Sequence, residues 1–173
     1  SVTGAASGTS AFVPGETPVP LPMPRAFSGT YSPDGRRMAY EDVALGFAAE
    51  WAQEQTSQWR HYRGGRTHPI RVINLADYSV EKLPWTNSND SAPMWIGDTI
   101  YFLSDRQGIT NIYRTQVDGA KTTQLTNMLT GASGITALSP AMSFAGGRLV
   151  FSAYENDGYN IYALDTAERN GAP

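Results

Sequence analysis

The chain has 173 residues, 40% of them hydrophobic, with 13 Lys and Arg against 16 Asp and Glu for a net charge of −3, and no cysteine. That is enough for one domain with its own core; the dispersed charge argues against nucleic-acid binding, which needs a clustered basic surface, and the missing cysteines exclude disulfides and thiolate chemistry. His61 and His68 stand at no metal-ligating spacing, no run of about 18 apolar residues marks a membrane span, and without a starting Met or a basic-then-apolar leader the chain reads as a processed form or a piece of something longer, its compartment (cytoplasmic or periplasmic) left open.

Residues 1–26 are rich in Gly, Ser, Thr and Pro. Pro18, Pro20, Pro22 and Pro24 remove backbone donors, so 17–21 can only be an edge strand or a polyproline-like arm. The alternative is a flexible tail. Residues 27–90 open with Ser32-Pro33-Asp34-Gly35, a tight turn in which Pro pre-sets φ and Gly accepts positive φ. Met38-Ala39-Tyr40 follows as a buried strand. Within the insertion 42–68, Ala44, Phe47, Ala48, Trp51, Ala52 and Gln55 keep helical spacing, which predicts a short helix over 44–55. Strands resume at 70–75 and 80–83, and an Asn/Ser/Asp connection at 85–90 leads onward.

Residues 91–134 read as four strands: 94–96, 99–103, 111–116 and 122–125. Asp105-Arg106-Gln107-Gly108 and Asp118-Gly119 supply the turns between them. Residues 135–173 repeat the pattern, with turns at Gly146-Gly147 and at Glu155-Asn156-Asp157-Gly158. Four short antiparallel strands in about 35 residues make one propeller blade. Ile100 to Ile112 spans 12 residues, and Leu149 to Ile161 spans 12 again. The expected fold is therefore all-β: three four-stranded blades of a β-propeller, half of a six-bladed ring, with one short helical insertion. The third blade lacks an outer strand of its own, while residues 1–26 carry a spare, closing one. Three blades are too few for a ring. Either the chain is a piece of a larger propeller, or two copies form a two-fold six-bladed homodimer.

The candidate binding residues are Trp59, Arg60, His61, Tyr62, Arg63 and Arg66, where guanidinium groups beside aromatics suit a peptide carboxylate or another acidic ligand. The competing reading is that Trp59 and Tyr62 pack the insertion onto the sheet while the arginines pair with local acids. The Phe47/Trp51 stripe offers either a partner-docking face or packing within its own domain. The carboxylate-bearing turns at 105–108 and 155–158 lack the spacing of a Ca²⁺ loop and read as turns. A glycosidase-like carboxylate pair stays open. Gly-x-Ser-x-Gly does not occur, and His61 and His68 have no evident Ser/Asp partners. No catalytic residue, metal or cofactor is assigned.

The segment Ser32-Pro33-Asp34-Gly35-Arg36-Arg37-Met38-Ala39-Tyr40 resembles the WD40-like (PD40) repeats of the Tol-system, TolB-type propeller. The segments Phe27-Ser28-Gly29-Thr30-Tyr31-Ser32-Pro33-Asp34-Gly35, Trp59-Arg60-His61-Tyr62-Arg63-Gly64-Gly65-Arg66, and Pro93-Met94-Trp95-Ile96-Gly97-Asp98 followed by Tyr101-Phe102-Leu103-Ser104-Asp105-Arg106 give a closer resemblance, to the N-terminal propeller of tricorn-like proteases, the peptidase S41 group. The resemblance covers roughly residues 20–126. It implies a propeller that filters or gates peptides while separate domains carry the protease chemistry. Two functions follow as expectations: a non-catalytic scaffold or binding module completing a ring by self-association, and a substrate-gating propeller segment of a tricorn-like serine peptidase.

Overall fold

The computed structural model describes residues 17, 20–23, 26–43, 67–119, 121–136 and 139–166. Eleven strands among them form three antiparallel sheets. The first, in the order β1 (Ala26–Tyr31), β2 (Arg37–Asp42), β3 (Ile70–Asn74) and β4 (Val80–Lys82), is blade 1. Blade 2 runs β5 (Asp90–Ile96), β6 (Thr99–Ser104), β7 (Asn111–Gln116) and β8 (Thr122–Gln124). Blade 3 consists of β9 (Met142–Ala145), β10 (Arg148–Glu155) and β11 (Gly158–Asp165), three strands among the described residues. The helix expected over 44–55 lies outside the described residues. No helix occurs among those that are described.

Turn chemistry sets the hairpins. Ser32 Oγ accepts the Arg37 N–H at 2.9 Å and donates to Asp34 at 2.6 Å, closing the first turn around Gly35 at φ 68°. Successive side chains on a strand point to opposite faces, so a blade can pack on two neighbours, as blade 2 does. Ile100, Phe102 and Tyr113 face Ala39, Ile70, Val72 and Leu83 of blade 1. Their strand neighbours Tyr101, Leu103 and Ile112 face Met142, Leu149, Phe151 and Leu164 of blade 3. The opposite face of blade 1 presents Met38, Tyr40 and Ile73, and Leu21 and Met23 of the N-terminal segment pack there. Residues 17 and 20–23 form no strand, in keeping with the donors lost at Pro20 and Pro22.

The first strands of blades 1 and 2 share a device. Two residues of β1, Ser28 and Gly29, stand opposite one of β2, and Ala92 and Pro93 of β5 likewise stand opposite one of β6. Such β-bulges take one residue out of the ladder. Pro93, with no N–H to give, is therefore accommodated inside a strand. In blade 3 the corresponding place carries a longer excursion between the Ala132↔Ala153 bridge and β9. Residues 83–89 and 125–141, which join one blade to the next, leave and enter at the same end of the sheets as the loops between β2 and β3, β6 and β7, and β10 and β11. These connections define one face of the assembly.

Candidate functional site

Trp59, Arg60, His61, Tyr62, Arg63 and Arg66 lie outside the described residues. They belong to the connection between β2 and β3, which leaves the sheet after Val43 and re-enters at Thr67 on the face just defined. The described residues around those two points are tied together by polar contacts. Thr67 Oγ1 donates to Asn87 Oδ1 at 2.8 Å. The His68 carbonyl accepts the Asp90 N–H at 2.8 Å. The Asn89 backbone N–H and side-chain amide donate to the two oxygens of Asp105, at 2.8 and 2.9 Å. Trp85 Nε1 donates to the Ser88 carbonyl at 2.7 Å. Three connections, from two blades, thus converge on one patch of short polar residues.

Beneath this patch sits a buried ion pair. Asp90, only 2% exposed, accepts the hydroxyls of Ser88 at 2.8 Å and Ser104 at 2.6 Å. Its second oxygen meets Arg106 Nη2 at 3.1 Å. The Arg106 guanidinium also lies over the rings of Phe102 and Tyr113, 5.2 and 4.8 Å from their centroids. Burial pushes the Asp90 carboxyl above its ordinary value, against the lowering influence of Ser104, Arg106 and Ser88. Burial likewise raises the Tyr113 phenol, whose hydroxyl has no hydrogen-bond partner among the described residues. His68 is held below its ordinary value by burial, with Asp42 and Asp105 pulling the other way. Asp42 itself forms an ion pair with Arg71 at the mouth of the same connection.

A second buried acid stands at the seam between blades 1 and 2. Glu41 accepts the Ala92 N–H at 2.8 Å, and burial pushes its carboxyl up to about 7. Sequence reading passed over Glu41, Asp90 and the pairing role of Arg106. The available signal was an acid inside an apolar strand at Glu41, and an Asp two residues after a Ser at Asp90.

Among the described residues no three His, Asp or Glu side chains converge as a metal site, and no helix is long and apolar enough to cross a membrane. The turn at 105–108 is accounted for by its contacts: Asp105 serves Asn89, and the Gly108 N–H closes on the Asp105 carbonyl at 2.7 Å. The described part of this face can organise a neighbouring segment through hydrogen bonds and one buried pair.

Comparison with known proteins follows the same lines. The sequence pattern of the tricorn protease N-terminal β-propeller domain matches residues 9–170. A tricorn protease homologue of Saccharolobus solfataricus is 30% identical over 69 residues, which is 40% of this chain and 6% of that protein. Among solved structures, a TolB-type protein of Agrobacterium tumefaciens superposes with a TM-score of 0.57 at 19% identity, covering 82% of this chain and 46% of that one. The tricorn protease superposes with a TM-score of 0.50 at 20% identity, covering 80% of this chain and 11% of that one. At these identities the structural matches establish the propeller fold alone.

Proposed function

The chain belongs to the tricorn protease N-terminal β-propeller family, and from that premise we propose that it acts as a non-catalytic propeller module that completes a ring with further blades and handles peptide on one face. One observation carries the reading. Ile112 and Ile161 occupy the same position of the repeat, opposite Leu103 and Ser152 on the preceding strand. Ile112 is 0% exposed because blade 3 covers it, whereas Ile161 is 78% exposed, with Tyr154 and Tyr159 also exposed nearby. A large apolar side chain at a blade-packing position calls for another blade. A second copy of the chain supplies three, for six in all. Peptide handling is assigned to Trp59, Arg60, His61, Tyr62, Arg63 and Arg66, where bidentate guanidinium groups suit a peptide carboxylate.

Absolute mass by light scattering after gel filtration, over a range of concentrations, tests the ring. A dimer supports closure by self-association; a monomer at every concentration refutes it. The second reading is favoured by the small share, 6%, that the chain spans of its Saccharolobus relative. In it, further blades and the protease chemistry belong to a longer tricorn-like peptidase whose substrates this module gates. A monomer with no turnover of fluorogenic peptides would point there.

A further inference from the structure

Blades 1 and 2 meet along a seam to which β1 and β5 contribute their bulges. Ser28 and Ala92 occupy matching places in these bulges and take matching left-handed conformations, φ 49° and 50°. The bulge releases the Ala92 N–H from its own ladder, and it donates across the seam to Glu41 Oε1 at 2.8 Å. The Ser28 hydroxyl reaches the same carboxyl. Thr30 Oγ1 accepts the Trp95 N–H at 3.4 Å one step further along.

The repeat shows what is unusual about Glu41. It pairs with Phe27 just before the bulge of β1, as Leu103 pairs with Ser91 just before the bulge of β5. Blade 2 therefore fills this position with a leucine that packs on blade 3. Blade 1 fills it with a carboxyl that is 6% exposed. Burying a charge there is costly, and the carboxyl brings two properties that leucine lacks, acceptance of hydrogen bonds across the seam and titration.

We propose that Glu41 is a proton-operated latch between blades 1 and 2: the neutral acid closes the seam at the two bulges, and the carboxylate draws water in and loosens it. The ionised form is the stronger hydrogen-bond acceptor, so the two hydrogen bonds by themselves favour ionisation. Burial outweighs them, leaving the group at about 7, where the latch changes state. The other charged or titratable groups on the elements packed around it are Tyr31 on β1, Arg37, Tyr40 and Asp42 on β2, Arg71 on β3, Asp90 on β5, and His68 before β3. Asp42 pairs with Arg71 and Asp90 with Arg106. His68 responds to Asp42 and Asp105, which makes it the group to separate by experiment.

The test is NMR on the full chain between pH 5.5 and 8.5. It reads the ¹³C titration of the Glu41 carboxyl and the exchange protection of the Ala92 amide, corrected for its intrinsic rate. The proteins are wild type, Glu41→Gln, Glu41→Leu and His68→Gln. The carboxyl is expected to titrate near 7, and Ala92 protection to fall roughly tenfold from pH 6 to pH 8 in wild type and in His68→Gln. Both Glu41 variants are expected to hold it constant. A carboxyl midpoint near the ordinary 4.5, a constant wild-type profile, an equal fall in Glu41→Leu, or a fall that vanishes in His68→Gln overturns the latch. If neither Glu41 variant folds, the wild type decides alone: Ala92 protection that falls as pH rises to the carboxyl midpoint and levels off above it supports the latch, and a fall that sets in only above the midpoint, or none at all, refutes it.

Discussion

Truncating Arg106 to alanine removes the cation that faces Asp90 in blade 2, together with the Nε–H that donates to Ser104 Oγ at 2.9 Å. Asp90 keeps the hydroxyls of Ser88 and Ser104 but loses the guanidinium at 3.1 Å. The two side chains are 3% and 11% exposed, so water does little to compensate. Orphaning one member of such a buried pair costs about 3–5 kcal/mol. Losing the cation over Phe102 and Tyr113 adds about 1 kcal/mol more. The loss has a pH signature. The Asp90 carboxyl already sits above its ordinary value and rises further without Arg106, so protonation relieves the orphaned charge as pH falls. Destabilisation is therefore larger at pH 8 than at pH 5. Asp90→Asn in the Arg106→Ala background removes the orphaned charge and is expected to recover most of the loss. Urea denaturation of the four proteins of this double-mutant cycle, at both pH values, measures the effect. A loss under about 1 kcal/mol for Arg106→Ala at pH 8, or a double variant no more stable than the single one, refutes the reasoning.

Three further outcomes can be checked by the same denaturation assay. Ile112→Ala is expected to cost about 2–4 kcal/mol and Ile161→Ala less than about 0.5 kcal/mol in the monomer, although the two share a repeat position, because only the first is covered; equal losses contradict the blade-packing account. Gly131→Ala puts a Cβ 2.7 Å from the Thr110 carbonyl oxygen at a residue with φ 84°, and is expected to cost about 1–3 kcal/mol; an unchanged urea midpoint rules that strain out. Glu41 is raised from 4.5 to about 7, so the folded chain holds a proton that the unfolded chain releases between those values. Its contribution is greatest at the acid end and declines as pH rises to about 7, by about 3 kcal/mol in all at about 1.4 kcal/mol per unit. His68, lowered by burial, works in the opposite sense, so the check is the difference between wild type and Glu41→Gln; a difference that does not change with pH contradicts it.

Much of the blade pattern was legible because its signals are local. The alternation in Asn111–Gln116, the Asp118-Gly119 turn and the Ser32-Pro33-Asp34-Gly35 turn each act within a few residues, and the strands appear where those signals put them. Pro93 was harder to read. A proline in a strand argues against the strand, and the bulge that admits it depends on pairing with Phe102's neighbours on β6. The binding candidates at 59–66 were chosen by composition, whereas the buried acids came to light only through their partners.

The blade pattern and the turns that join its strands were written in the sequence, since turn propensity and period-2 alternation need no knowledge of distant residues; the register shifts at the two bulges were not. Which of two like faces is covered, and which acids are buried, follows from the folded neighbours. Ile112 and Ile161 read alike in the chain, and Glu41 stands where its counterpart is Leu103. Burial and the pKa it displaces are set by the neighbouring blade, which the local pattern does not contain.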